Sequence, residues 1–295
     1  MATGSSGAAA GIVIAVVAGV LGSSYALGHA VVPDGWSREG RGSTTNTDSP
    51  QYADQPPVTT SRKPSGETNG SERSIGPDEA GQDGQSGPSR EYSSGGPFGA
   101  RTTTGTSRVA LTFDDGPDPR YTSQVLTILR EHHVTATFCV VGENAQKHPD
   151  LVQAIVADGH TLCNHSWNHD VTLGRRSPDA IRADLLRTND AIRAAVPHAT
   201  VAYYRQPGGA WTTSLVSLAQ ELGMIPLHWS ADPSDWRAPG AERIAATVMA
   251  SVQAGSILLL HDAGGDRQGT VEALDRILPA LTNRFQVEAL PTGTT

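Results

Sequence analysis

The sequence predicts an α/β fold: a deformed (β/α) barrel of about seven strands, preceded by an N-terminal apolar segment and a disordered linker. Two observations carry that expectation. From about Gly105 onward, short apolar runs of strand periodicity alternate with longer amphipathic runs of helical periodicity, the pattern of repeated strand–helix–strand units in a parallel sheet. Polar residues also recur after strand upon strand, which fits a barrel better than an open sheet, because barrel active sites collect at the C-terminal strand ends.

The first strand, Val109-Ala110-Leu111-Thr112-Phe113, alternates large apolar with small residues and runs into Asp114-Asp115-Gly116-Pro117, which forbids further extension. Val125, Leu126 and Leu129 at helical spacing predict a helix over 121–131. The chain returns to a strand over 135–142, is helical over 151–158, and forms a third strand over 159–165. Ser177 reads as an N-cap with Pro178 in the first turn, opening a helix whose Ile181, Leu185, Thr188 and Ile192 share one face. Strands over 201–205, 225–230 and 256–261 alternate with helices over 213–222 and 241–254. A helix over 270–281 then leads to a short last strand over 285–290.

Ahead of this domain, residues 8–32 are almost continuously apolar, with no charged side chain before Asp34, and long enough to cross a bilayer. Residues 1–33 are therefore expected to be a signal peptide, cut after a small-x-small site such as Gly28-His29-Ala30, or an uncleaved membrane anchor. No Lys or Arg precedes the segment whereas Arg38 and Arg41 follow it, so a count of positive charges runs against export; the expected location, the outer face of the membrane or the cell wall, rests on the domain's chemistry. Residues 34–104, rich in Gly, Ser, Thr and Pro, cannot form a core and read as a disordered linker. Its roughly 70 residues would have a typical span of about 45 to 50 Å as a flexible coil. The folded domain is expected over 105–295, acting as a monomer.

A net charge of -8 argues against nucleic acid as a partner, since phosphate binding needs a basic surface. Cys139 and Cys163 are the only cysteines, too few for a disulfide framework, and each lies in a strand-like run. Two buried thiols and a bridge between neighbouring strands both remain open.

The chemistry-bearing residues sit at the strand ends. Neighbouring residues on a strand point to opposite sides, so Asp114 and Asp115 cannot share one job unless the backbone turns between them; a metal held by one and a proton taken by the other would give both a reason. His165-Ser166-Trp167-Asn168-His169 places two imidazoles four residues apart, a separation that one helical turn would convert into a shared face. A histidine pair alone is weak evidence; with one carboxylate it makes a three-ligand site with open positions, as in catalytic zinc centres.

With these residues in view, the chain resembles the polysaccharide deacetylase, or NodB-homology, family of carbohydrate esterases (carbohydrate esterase family 4) over about residues 108–290. Five motifs match in order: Thr112-Phe113-Asp114-Asp115-Gly116-Pro117, His165 to His169, Arg205-Gln206-Pro207-Gly208-Gly209, Asp232-Pro233-Ser234-Asp235-Trp236, and Leu259-Leu260-His261. The resemblance implies a metal-dependent deacetylase in which Asp115, His165 and His169 hold a divalent metal, zinc before cobalt or another first-row ion. It implies Asp114 as general base tuned by Arg205, and His261 as general acid held cationic by Asp235. The backbone N–H of Gly208, after Pro207, would stabilise the oxyanion, and Trp236 and Leu259 would wall an acetyl-sized pocket. Arg205 and Asp235 also admit a plain structural ion pair, Trp236 also reads as core, and Asp232 has no role. The family often carries an aromatic residue where Gly208 stands, which leaves the substrate groove less defined than the chemistry.

The expected substrate is an acetylated polysaccharide, a polymer of N-acetylglucosamine: peptidoglycan first, because a tethered enzyme suits a cell's own wall, then chitin oligomers, then acetylxylan. The rival of another class is an inactive module that binds wall glycan. Asp114 and His261 argue against it, because a pure binder needs neither base nor acid.

Overall fold

The computed structural model describes residues 95–293; the expected apolar segment and the linker up to residue 94 lie outside the described residues. Among the described residues, no helix is long and apolar enough to cross a membrane.

Six strands, β1 (Ala110–Asp114), β2 (Thr137–Val140), β3 (Thr161–Asn164), β4 (Tyr203–Tyr204), β5 (Ile225–Pro226) and β6 (Ile257–His261), form one parallel sheet in the order β5-β4-β3-β2-β1-β6. The helices are α1 (Tyr121–Glu131), α2 (Gly142–Lys147), α3 (Pro149–Ala157), α4 (Pro178–Ala195), α5 (Thr213–Glu221), α6 (Ala241–Ser251) and α7 (Gln268–Thr282). The two-residue alternation of the strands divides their side chains. Leu111, Phe113, Phe138, Leu162, Tyr204, Leu258 and Leu260 pack outward against the helices, in one cluster with Val125, Leu129, Leu185 and Leu274. Ala110, Cys139, Cys163, Tyr203, Leu227 and Ile257 form a separate inner cluster.

The curled sheet nearly closes. Arg101 bridges Leu227, Thr103 bridges Ser256, and Ala231 bridges Leu258, so backbone from both edges meets across the gap between β5 and β6. Residues 97–104, which composition assigns to the linker, are thus part of the folded body: Ala100 and Arg101 are buried, and Arg101 donates from Nη2 to the Thr104 carbonyl at 2.5 Å. The missing signal is periodicity, since this segment is held by backbone pairing to distant strands.

The expected strand over 285–290 is a single bridge, Val109 with Val287, and its continuation crosses the bottom of the barrel. There Leu290 N donates to Thr137 Oγ1 at 3.0 Å, Thr161 Oγ1 donates to the Leu290 carbonyl at 2.7 Å, and Tyr203 Oη donates to the Pro291 carbonyl at 2.7 Å. Helix α2 has no counterpart in the sequence periodicity. Its first residue donates to the Ser166 carbonyl at 3.0 Å, and a Cβ at Gly142 would sit 2.6 Å from the Trp167 ring, so tertiary contact places this short helix. Cys139 and Cys163, register partners on β2 and β3, are joined by a disulfide inside the barrel.

Candidate metal centre and active site

All the chemistry-bearing residues stand at the C-terminal rim. Asp114 ends β1 as an inward-facing strand residue, and the backbone then turns: Asp115 adopts φ 77°, a left-handed conformation that costs a non-glycine residue about 1 to 2 kcal/mol. Side-chain Nδ2 of Asn144 on the carbonyl of Asp115, at 2.8 Å, and Val141 N on the carbonyl of Gly116, at 2.9 Å, hold the turn. This reversal lets two consecutive carboxylates reach one site. Close approach is needed on its far side as well, since a Cβ at Gly264 would lie 2.2 Å from Asp115 Oδ2.

His165 and His169 meet Asp115 there. The three ligand atoms lie within 4.8 Å of one another, with Asp115 Oδ1 3.4 Å from His165 Nε2 and 3.2 Å from His169 Nε2. The sequence expectation of one helical turn is corrected: residues 166–168 form a turn with left-handed Ser166 (φ 62°) and His169 (φ 57°). Asn164 pins it, its Oδ1 accepting from Ser166 N at 2.9 Å and its Nδ2 donating to the Leu185 carbonyl at 2.9 Å. His165 Nδ1 donates to the Arg205 carbonyl at 2.8 Å, an acceptor only, so the Nε2 lone pair is left to face the cluster. Burial pushes His169 below the ordinary imidazole range against the pull of Asp115, which favours the neutral ring. Burial alone would raise the Asp115 carboxyl, but the imidazoles of His165, His169 and His261 around it bring it well below the carboxylate range. Two imidazole nitrogens and one ionised carboxylate, buried and convergent, fit a divalent first-row metal.

Two ion pairs of opposite sense flank this cluster. Arg205, fully buried at the end of β4, donates from Nη1 to Asp114 Oδ1 at 2.7 Å and to Thr112 Oγ1 at 2.8 Å, and from Nη2 to the His228 carbonyl at 3.1 Å. Asp114 Oδ2 faces the cluster, 3.7 Å from His165 Nε2. On β6, His261 Nδ1 donates to Asp235 Oδ1 at 2.7 Å, while Asp235 Oδ2 accepts from His261 N at 2.9 Å and from Thr270 Oγ1 at 2.8 Å. Burial pulls the His261 imidazole down, yet Asp235, Asp115 and Asp114 together raise it to about 9.

Pro207 and Gly208 lie in the 3-10 turn Pro207–Gly209 directly after Arg205-Gln206, Pro207 buried and Gly208 left-handed at φ 61°. Among the described residues, a Cβ at Gly208 would meet Val171 at 3.4 Å. Trp236, half-buried, belongs to the turn Asp235–Arg237, which packs against β6, and Leu259 points into the barrel from β6. Asp232 accepts from Ser234 N at 2.6 Å, a loop-bracing role.

Sequence reasoning missed three supports. Arg267 is buried and donates to the carbonyls of Ala263 (2.7 Å), Gly264 (3.0 Å) and Trp236 (3.2 Å), tying the loop after β6 to the Asp235 turn. Thr270 fixes Asp235, and Asp262, adjacent to His261, accepts from Thr122 Oγ1 at 2.6 Å. Burial, with the Asp115 and Asp114 charges, pushes the Asp262 carboxyl up to about 7 against that hydrogen bond. Its place beside an expected acid at a polar strand end was the only signal.

Comparison with known proteins fits this geometry. Residues 101–227 match the family model described as polysaccharide deacetylase. A chitooligosaccharide deacetylase of Sinorhizobium fredii is 43% identical over 204 residues, covering 65% of this chain and 94% of its own length. The chain belongs to the polysaccharide deacetylase family. A second family relative, a peptidoglycan-N-acetylglucosamine deacetylase of Bacillus cereus, is 39% identical over 175 residues, 59% of this chain and 81% of that protein. Among solved structures, a family 4 carbohydrate esterase (CE4) pseudoenzyme from Bacillus anthracis superposes with a TM-score of 0.58 at 28% identity, covering 63% of this chain and 64% of that chain. A polysaccharide deacetylase fold therefore does not by itself make a catalyst, and activity has to be argued from the side chains.

Proposed function

We propose that the protein hydrolyses N-acetyl groups of N-acetylglucosamine-containing glycans, with peptidoglycan as its first substrate. The observation that carries this reading is the pairing of Asp114 with Arg205 and of His261 with Asp235 on either side of a three-ligand cluster. Asp235 favours the protonated acid in one pair, and Arg205 fixes the carboxylate of the base in the other. An inactive glycan-binding module would need neither.

Asp115, His165 and His169 would hold one divalent cation, zinc before cobalt or another first-row ion, which when bound polarises the acetyl carbonyl and acidifies the attacking water. Asp114 Oδ2 takes a proton from that water as its oxygen attacks the carbonyl carbon, while Arg205 occupies Oδ1 and keeps the carboxylate oriented. His261 then gives its Nε2 proton to the nitrogen of the breaking C–N bond, so acetate and a glucosamine amine leave. Asp235 and Thr270 hold the imidazole ring during that transfer. The Gly208 N–H stabilises the oxyanion, and Trp236 and Leu259 bound an acetyl-sized pocket that excludes bulkier acyl groups.

Two features support a place outside the cytoplasm: the apolar segment over 8–32, and a disulfide, a bond that persists in oxidising compartments. A tether of roughly 60 residues suits a wall polymer within about 45 Å of the membrane. Chitin oligomers are the second reading, favoured by the 43% identity to a chitooligosaccharide deacetylase. Acetate release by the zinc-loaded full chain on peptidoglycan, chitotetraose and acetylxylan tests both. We expect release from the first two and the higher rate on peptidoglycan; release from xylan alone would refute N-deacetylation, and release from none would refute the enzymatic reading.

A further inference from the structure

The rim of the barrel carries a histidine that the reaction does not use. His228 follows β5, and its backbone carbonyl accepts from catalytic Arg205 at 3.1 Å. Its ring is fixed on three sides. Trp211 Nε1–H donates to His228 Nδ1 at 3.2 Å, and the Trp229 ring lies against the imidazole at 3.9 Å between centroids. Gly209, left-handed at φ 63°, supplies the third side: a Cβ there would come within 2.9 Å of Trp229 Cη2 and 3.3 Å of His228 Cε1, so only glycine lets the rings close over this turn.

An indole can only donate, so Nδ1 is the acceptor and the ring proton resides on Nε2. That Nε2–H has no hydrogen-bond partner among the described residues and is open to solvent. Burial, aided by the Arg205 charge, lowers the imidazole to about 4 against Asp114, so the ring is neutral at ordinary pH. A neutral, immobilised N–H donor beside the Pro207–Gly209 turn suits an uncharged oxygen, such as a hydroxyl or acetamido carbonyl, and its ordering has been completed before any ligand arrives.

We propose that His228 is a substrate-binding residue: its Nε2–H, fixed by Trp211, Trp229 and Gly209, hydrogen-bonds an uncharged oxygen of the bound glycan beside the catalytic pair. This rests on the glycan-deacetylase reading for the choice of ligand. The role belongs to binding, not to bond cleavage, because Asp114 and His261 already account for both proton transfers.

The test compares kcat and KM of the zinc-loaded full chain on chitotetraose for wild type, His228→Phe and His228→Gln. Loss of one uncharged hydrogen bond predicts a KM about 3- to 10-fold higher for the Phe variant with kcat within about twofold, and partial recovery with Gln, which restores a side-chain donor. An unchanged KM, or an equal fall of kcat in both variants, overturns the proposal. Because His228→Phe also strands the Trp211 N–H, a second measurement leaves the ring intact. The ring nitrogens of His228 are followed by NMR in the Asp114→Asn protein as chitotetraose is added to saturation. An Nε2–H that shifts supports the contact, and one that stays still while other resonances move refutes it. A wild type that binds chitotetraose but releases no acetate refutes the deacetylase reading instead, so the two failures are distinguishable.

Discussion

Asp114 and His261 occupy the same rung of two adjacent parallel strands, β1 and β6, and each is engaged by a partner of opposite charge at 2.7 Å, Arg205 for the first and Asp235 for the second. Adjacent strands are about 4.8 Å apart, so the proposed base and acid are set side by side by sheet register, each held by its own partner of opposite charge. The arrangement can be tested one residue at a time.

The His261 pair sets a pH limb. A raised histidine pKa means that the protonated form is the folded state's preference; the associated stability is full below the unfolded value of about 6.5 and is lost as pH rises toward 9. Proton donation fails over the same window, so kcat falls on the alkaline side; a cation on Asp115 offsets that carboxylate's share and brings the limb below 9. Asp235→Asn should move the alkaline limb down by one unit or more, because the strongest raising influence is removed. A pH–kcat profile with an unmoved limb would take His261 out of the acid role.

Asp114→Asn should lower kcat by at least about 10²-fold, since an amide cannot take the proton. Zinc affinity, read by calorimetry on the same protein, should change little, because the ligand cluster is Asp115, His165 and His169. Turnover at the wild-type level would remove Asp114 from the base role.

Metal binding should appear as stability independent of activity. Zinc at 100 times its dissociation constant is expected to add about 2.7 kcal/mol to the folded state, seen as a higher Tm. His169→Ala should abolish most of that gain. An equal Tm increase in the variant would place the zinc elsewhere.

Much of this was legible in the sequence, and the residues explain why. Strand and helix periodicity located β1 to β6 and the helix that starts at Ser177, because alternation and capping are local signals. The five polar strand ends pointed to the rim. What escaped depends on partners far away in the chain. Asp115 and His169 take left-handed backbones that spacing does not announce, so the His165–His169 juxtaposition comes from a turn instead of a helix. Residues 97–104, α2 and the bridge at Val287 are held by tertiary pairing. Thr270, Arg267 and Asp262 look like ordinary polar residues until Asp235, Trp236 and Thr122 are placed beside them.

The Cys139–Cys163 bridge closes a loop with a sequence separation of 24 in the inner cluster, between β2 and the strand that delivers His165. A loop of that length corresponds to about 3.5 kcal/mol of stabilisation through the unfolded chain. Urea unfolding with and without a thiol reductant should differ by about that amount. In the double variant Cys139→Ala, Cys163→Ala, the reductant effect should vanish. A reductant effect that persists there would exclude the bridge as its source.

His160 gives stability a different pH dependence. Its Nδ1 accepts from Ala136 N at 3.1 Å, its ring packs on Phe138, and burial depresses the imidazole to about 4 despite Asp158. The unfolded chain takes up a proton near pH 6.5 that the folded chain refuses until about 4, so this histidine's contribution is present above 6.5 and lost as pH falls through that window. His228 acts in the same direction, whereas the raised carboxyl of Asp262 acts in the opposite one over about pH 4 to 7. Wild-type stability against pH therefore mixes several groups. The difference between wild type and His160→Gln isolates one of them. Urea unfolding at pH 7 and pH 5 should give a destabilisation by the substitution that shrinks by on the order of 2 kcal/mol at the lower pH. A difference independent of pH would mean that His160 titrates alike in the folded and unfolded states, and that its ring is not held neutral by the core.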